Sequence, residues 1–424
     1  MDSMNTISPL LAPRPLAPEH PDRIPTIEVK SAGQHPNLFR KRIDFVAREV
    51  RPGDYVRVID ADRRVVGYGI INPRAELAVR MLTWGERIPD KSFWQEKLVE
   101  AVKLRRDVLK LDDVTDSYRI IHGEGDGIPG LVIDKLGDVL SAEVFTPGMY
   151  QRADAILAML EPFCGTTHRL IRCGPATMSQ EGFEGPDIKS EFCPSRITIQ
   201  EYGTRFRVDF GEGHKTGFFC DQRDNRRQLA AYCKDRTVLD VCCYTGGFAI
   251  QAKKLGGAAE VTGVDLDEHP LALAKENANL NQARCKFVQA DAFIYMRDLL
   301  SAGKKFDVVV LDPPKLIRTR LEYEEGRRKH LDLNRLAMRL VAPGGLMLTC
   351  TCAGLLPADD FMQLVCLASR QAGPELQAAT KEQGARNGPR AMQILSKCGA
   401  APDHPVASNC PESEYLNGVW MRML

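Results

Sequence analysis

The chain has 424 residues, 44% hydrophobic and 27% charged, with a formal net charge of +1. That length allows two to three domains with sizeable cores, and the even charge balance points to no partner by itself. No apolar run reaches the length of a membrane helix, the first residues lack a charged segment followed by an apolar one, and the 13 cysteines show no CxxC knuckle pair, so the expectation is a cytoplasmic protein with reduced thiols, no membrane span and no metal site.

Residues 1–22 are rich in proline and small residues and lack periodicity, which predicts a disordered tail. From 23 to 91 the pattern is short and β-like. Asp54 to Asp60 alternates, Asp62-Arg63-Arg64 reads as a turn, and Val65 to Ile71 as the partner strand. Residues 23–112 carry an excess of about six basic groups, so a small barrel with a basic face is predicted there. The stretch 92–110 reads as one amphipathic helix with Trp94, Leu98, Ala101, Val102, Val108 and Leu109 on one face, interrupted by Arg105. Mixed strands and a helix follow to about 218. In that stretch the glycine-dense loop Gly123 to Gly130 is not followed by a helix start, so tight turns explain it better than phosphate binding.

From about 235 the period changes to strand–helix alternation. Apolar runs at 237–241, 261–265, 286–291, 306–312 and 346–350 are separated by helical stretches. Asp267 and Pro270 mark one helix start. This is the signature of a parallel sheet covered on both faces. Ligands of such sheets bind beyond the carboxyl ends of the strands. Four of those ends carry an acid: Asp240, Asp265, Asp291 and Asp312. After Asp240 comes Cys243-Tyr244-Thr245-Gly246-Gly247-Phe248, a turn through which backbone can approach a ligand. Asp265 is placed for ribose hydroxyls and Asp291 for an adenine amino group. Each acid alone reads equally as a helix cap or a solvated strand end. In this order they resemble the class I S-adenosylmethionine-dependent methyltransferases.

The acceptor is read from what surrounds Asp312-Pro313-Pro314-Lys315. An aromatic at the fourth position would suit an exocyclic amine, and Lys315 argues against that class. The fifth strand ends in Thr349-Cys350-Thr351-Cys352-Ala353-Gly354. Carbon 5 of a pyrimidine accepts a methyl group only after a thiolate has added to carbon 6. Inert buried cysteines are the plain alternative. Alternation sends Cys350 and Cys352 to one side, so the pattern does not separate them.

At this point the chain resembles the RlmI-type bacterial 23S ribosomal RNA (cytosine-C5) methyltransferase family. The resemblance is carried by Tyr118 to Leu131, His214-Lys215-Thr216-Gly217-Phe218-Phe219, Asp221 to Arg226, Cys243 to Phe248, Asp312 to Lys315 and Cys352-Ala353-Gly354-Leu355. Asp403-His404-Pro405-Val406 and Glu414-Tyr415-Leu416 add to it. It implies a PUA-like barrel at 23–91, a middle α+β domain at 92–218 and a Rossmann-like methyltransferase domain at 219–424. It implies S-adenosylmethionine as cofactor, held by Asp240, Tyr244, Thr245, Gly246, Phe248, Asp265, Asp291 and Asp312. Cys352 becomes the favoured nucleophile, with Asp312 and Lys315 as catalytic partners. Lys215, Arg223, Arg226, Pro313 and Pro314 become the substrate contacts. Large-subunit ribosomal RNA is the implied partner, and a homodimer is left open.

The family's early His-Pro-Trp reads His35-Pro36-Asn37 here, and a small hydroxyl residue is replaced by Ala353. Lys315, His330 and water are the candidates for removing the carbon 5 proton. Arg318, Arg320, Arg327, Arg328 and Lys329 offer positive charge for RNA, against a solvated helix face that includes Glu322, Glu324 and Glu325. Two other readings stand beside this one: methylation of another base, such as a guanine nitrogen, and a non-catalytic RNA-binding ribosome-assembly factor.

Overall fold

The computed structural model describes residues 10–31, 33–211, 216–373, 375–376, 386–387 and 389–424. They group into two compact units. One comprises Met1–Ile199, Val208–Cys220 and Pro402–Ser413, the other Gln200–Arg207, Asp221–Ala401 and Glu414–Leu424. No helix among the described residues is long and apolar enough to cross a membrane.

The first unit opens with a six-stranded sheet: β1 (Thr26–Val29), β2 (Asn37–Phe39), β3 (Ile43–Val46), β4 (Tyr55–Ile59), β5 (Val65–Ile71) and β6 (Leu77–Trp84), in the spatial order β2-β6-β5-β4-β1-β3. β4 and β5 pair antiparallel across the expected turn. Asp60 closes that turn, its Oδ1 accepting from Asp62 N at 3.0 Å and Arg64 N at 2.9 Å, while Arg63 takes φ +62°. Alternation buries Ile27, Val29, Val56, Val58, Val79 and Met81 in one core.

Helix α1 (Lys91–Lys103) starts at Asp90, whose carboxylate accepts from Phe93 N at 2.9 Å. Arg105, the break in its apolar stripe, lies in a π turn (Leu104–Val108) and is fully buried. Its guanidinium meets both oxygens of Asp126 at 2.5 and 2.8 Å and donates to Asp403 O at 2.7 Å. The charge on the apolar face is therefore one half of an internal ion pair, presented by a local widening of the helix. Asp126 sits in the glycine-dense loop, which is a run of tight turns with Gly123, Gly127 and Gly130 all at positive φ.

A second sheet follows, with β7 (Ser117–His122), β8 (Leu131–Leu136), β9 (Val139–Val144), α2 (Pro147–Cys164), β10 (His168–Cys173), α3 (Thr177–Glu181) and β11 (Ile188–Lys189), ordered β11-β10-β9-β8-β7. α2 carries the chain from β9 to its parallel neighbour β10. Thr146 caps it, Pro147 opens it and left-handed Gly165 ends it.

Residues 10–22 correct the expectation of a disordered tail, while residues 1–9 lie outside the described residues. Leu11 and Leu16 are buried in the core beside Trp94 and Tyr55. Leu16 O accepts from Trp94 Nε1 at 2.7 Å, and Gln151 Nε2 donates to Leu10 O at 2.6 Å. Proline content hid these two apolar anchors and the backbone acceptors beside them. Burying two leucines contributes about 3–6 kcal/mol. A chain lacking residues 1–18 is expected to lose stability of that order, read from denaturant unfolding of the first unit.

The hairpin of β12 (Arg196–Glu201) and β13 (Thr204–Asp209) leads to the second unit. That unit continues with α4 (Arg223–Ala231), β14 (Thr237–Val241), α5 (Gly247–Lys254), β15 (Glu260–Asp265), α6 (Glu268–Leu280), β16 (Lys286–Gln289), α7 (Ala292–Ser301) and β17 (Phe306–Leu311). It is completed by α8 (Tyr323–Leu340), β18 (Val341–Thr351), α9 (Ala358–Arg370), the short pair β19 (Glu375–Leu376) and β20 (Arg386–Asn387), β21 (Met392–Gly399) and β22 (Asn417–Met423). The seven-stranded sheet runs β16-β15-β14-β17-β18-β22-β21. β14 to β18 are parallel, and β22 and β21 pair antiparallel. All five predicted strands are present. Their continuous apolar character follows from burial on both faces: Val309, Leu311 and Met347 meet α8 and α9, while Val308, Val310 and Leu348 face Trp420, Leu229 and Phe248. The topology reverses between β14 and β17, which is where such folds place their ligands.

Candidate active site

The turn after β14 sets the geometry. Cys242, Tyr244 and Gly246 all take left-handed conformations, at φ +63°, +48° and +81°. For the two non-glycine residues this costs about 1–3 kcal/mol each. Asp265 Oδ2 offsets part of the cost by accepting from Tyr244 N at 2.8 Å. Asn277 Nδ2 donates to Thr245 O at 3.2 Å. Gly246 leads into α5, and a Cβ there would press on Ile250, Phe287 and Ala274 at 3.1–3.2 Å. Tyr244, Thr245 and Gly246 thus form a taut loop across the carboxyl edge of the sheet. Phe248, expected at the cofactor, lies in the hydrophobic core at the start of α5.

Asp240 is fully buried. Its Oδ2 accepts from Ala249 N at 3.0 Å, and its Oδ1 has no partner among the described residues. Burial, and then the charges of Asp312 and Asp265, push its pKa up to about 8. A buried carboxyl oxygen without a donor calls for one from a ligand, so this site fits a cofactor carrying cationic or N–H groups. Asp240 binds a proton in the folded chain that the unfolded chain releases near pH 4. Its contribution to stability is therefore present below about pH 4 and lost as pH rises to about 8. Asp240→Asn is expected to flatten this part of the stability–pH profile, measured by urea unfolding across the range.

Asp265 stands half-buried at the end of β15, where its Oδ1 accepts from Asp267 N at 3.1 Å. Asp291 caps α7, its Oδ1 accepting from Ile294 N at 3.0 Å. The helix-cap reading therefore applies to Asp291, with its second oxygen outside that bond.

Strand register places the remaining groups. Leu311 of β17 pairs with Thr349 of β18, so Asp312 stands level with Cys350. Cys350 is wholly buried, and burial together with the Asp312 charge holds its thiol well above the usual range. Cys352 lies two residues farther along, about 7 Å toward the mouth, on the same face and half-buried. Thr351 between them points the other way, to His330 Nε2 at 3.2 Å. His330 is fully buried beside Phe361, and burial pulls its pKa down to about 4. It therefore does not share the face of Cys352. Pro313 is buried, while Pro314 and Lys315 are exposed.

The Asp221 to Arg226 string contributes differently from expectation. Gln222 Nε2 donates to Asp312 Oδ2 at 3.0 Å, and Asn225 Nδ2 donates to Gln222 Oε1 at 2.6 Å. Gln222 also hydrogen-bonds the Cys350 side chain. Asp221 accepts from Tyr415 Oη at 2.6 Å. The arginines expected to hold substrate face inward. Arg226 is buried and bidentate on Glu201, at 2.9 and 2.6 Å, and Arg223 is fully buried. A guanidinium committed to a buried carboxylate is not available to RNA phosphate. Lys215 and His214 lie outside the described residues. The strong charges of this string mask its two amides, which do the positioning.

Comparison with known proteins agrees with this geometry. The model of the S-adenosylmethionine-dependent methyltransferase family matches residues 119–379, and that of the PUA-like domain matches residues 28–84. The chain belongs to the S-adenosylmethionine-dependent methyltransferase family. Within it, the chain is 33% identical to "Ribosomal RNA large subunit methyltransferase I" of Pseudoalteromonas atlantica, over 96% of this chain and 98% of that one. It is 34% identical to the protein of the same name from Escherichia coli, over 92% and 96%. Among solved structures, a chain described as a SAM-dependent methyltransferase from Streptococcus mutans superposes with a TM-score of 0.75 at 18% identity, covering 94% of this chain and 99% of that one. Another, described as a methyltransferase complexed with SAH, gives 0.76 at 19%, with the same coverage. The family has S-adenosylmethionine as its cofactor, and the fold is the expected α/β arrangement with an N-terminal PUA-like domain.

Proposed function

We propose that the chain methylates carbon 5 of a cytosine in large-subunit ribosomal RNA through a covalent adduct with Cys352, in the cytoplasm. The observation that carries this reading is the half-buried thiol of Cys352 two residues beyond the level of Asp312, on the same face as the fully enclosed Cys350. Methylation of a ring or exocyclic nitrogen has no use for a thiol there.

S-adenosylmethionine, when bound, supplies an electrophilic methyl group. Asp240 and the Tyr244-Thr245-Gly246 turn would hold its amino-acid end, Asp265 the ribose and Asp291 the adenine. The target cytosine leaves its stack to enter the mouth. The Cys352 thiolate forms a bond to carbon 6, and the carbon 5–carbon 6 electron pair becomes nucleophilic at carbon 5. Asp312, steadied by Gln222, hydrogen-bonds the base edge and favours protonation of the ring nitrogen. After methylation the carbon 5 proton leaves, its electron pair restores the double bond, and the carbon–sulfur bond breaks to return the thiolate. Lys315, exposed beside the mouth, or a water takes that proton, since His330 faces the other side of the sheet. Arg318 and Arg320 are exposed on the loop after Lys315 and would contact RNA phosphate. Lys329 is instead engaged by Glu325 at 2.7 Å.

The test is transfer of labelled methyl to unmodified ribosomal RNA, with digestion to nucleosides and mass identification. Label in 5-methylcytosine is the expected result. Label in a modified guanine, or none with either naked RNA or subunits, would overturn the reading.

A further inference from the structure

Spacing along the chain gives no metal motif, yet folding of the first unit brings three dissimilar donors together. We propose that His35, Cys410 and Glu412 form a binding site for one divalent zinc-type metal ion. A ring nitrogen of His35, Cys410 Sγ and a Glu412 carboxylate oxygen lie within 4.8 Å of one another. Tetrahedral zinc, with bonds of about 2.0 Å to nitrogen or oxygen and 2.3 Å to sulfur, needs its donors about 3–4 Å apart. Imidazole, thiolate and carboxylate are the donor types zinc takes, and a water or a further carboxylate completes such a site.

The surroundings suit this use. His35 Nδ1 accepts from Asn37 N at 3.0 Å and lies 3.1 Å from Asn37 O, so the backbone of Asn37 fixes the orientation of the ring. Nε2 is turned to Glu412 at 2.6 Å. Cys410 is buried and fixed by backbone, its N donating to Ala407 O at 3.0 Å. A second carboxylate, Glu124, stands close by and accepts from Asn37 Nδ2 at 3.0 Å. Two carboxylates beside a buried thiol favour a dication, which replaces the thiol proton on binding. The ion would clasp the segment before β2 to residues 409–412, where Asn409 Nδ2 already donates to Gln34 O at 2.7 Å.

The full-length chain, stripped of metal with a chelator and dialysed, is titrated with Co²⁺ and then Zn²⁺. The expected result is one equivalent of Co²⁺ with a thiolate-to-cobalt charge-transfer band that Zn²⁺ displaces. Cys410→Ser should abolish the band, and His35→Ala should weaken Zn²⁺ binding by at least about tenfold. No band in the parent chain, or a band that survives Cys410→Ser, overturns the proposal. Glu412 is exposed, so Glu412→Gln keeps the test decisive if the Cys410 variant fails to fold. It should weaken Zn²⁺ binding and shrink the rise in melting temperature that Zn²⁺ gives the parent, and unchanged values for both overturn the site.

Discussion

Cys352→Ala is expected to lower methyl transfer to RNA by about a thousandfold or more, with the affinity for S-adenosylmethionine unchanged. The reason is positional. Cys352 lies past the last hydrogen-bonded residue of β18, half-buried, whereas Cys350 is sealed under Gly418 and the side chains around Trp420. Cys350→Ala is therefore the informative control. It should keep transfer within about tenfold and cost about 1 kcal/mol of stability, the ordinary range for a small core truncation. Single-turnover assays with labelled cofactor, alongside calorimetric binding of S-adenosylmethionine, separate the two. Equal loss in both variants would assign the cysteines to structure. Full transfer by Cys352→Ala would remove the covalent mechanism and favour a nitrogen acceptor.

The second large effect is on folding. Arg226→Ala should destabilise the second unit by about 3–5 kcal/mol, because Glu201 is left charged and unpaired in the interior. Glu201 is fully buried and takes both guanidinium bonds of Arg226, and Gln251 Nε2 also donates to it at 3.2 Å. Replacing both members together by apolar residues should cost far less than either single change, since no isolated charge remains. Urea unfolding of the two single variants and the double variant reads this directly. Weakened RNA binding with unchanged stability in Arg226→Ala would instead return Arg226 to the substrate.

The strands of the second unit were legible because a parallel sheet buried on both sides demands unbroken apolar runs. The acids at their ends were legible because four of the five runs stop at or beside one. Tight turns at Asp60–Arg64 and Gly123–Gly130 were equally readable, since their chemistry is local. What escaped the sequence is long-range pairing. Arg105 looks like an error in a helix face until Asp126 and the carbonyl of Asp403 are brought to it. Arg226 resembles an RNA contact until Glu201 is found beneath it. Gln222 and Asn225 carry no charge and no periodic signal, and only the fold shows that they lead to Asp312. The order of the segment before residue 22 is not legible in its composition, which averages over residues. Two leucines and a few carbonyls decide its fate.

The order of the strands bears on how the chain is made. β22 comes after every other strand of its sheet, yet it lies between β18 and β21. Residues 402–413 likewise return late to the first unit, where Asp403 receives the buried Arg105 and the amide of Arg119. Vectorial synthesis, which lets most domains settle one after another, leaves both units here waiting on the same final stretch. A nascent chain paused before residue 400 would hold an unfilled slot in the sheet and an unanswered guanidinium in the first unit. Neither unit is therefore finished until residues 402–423 have been made.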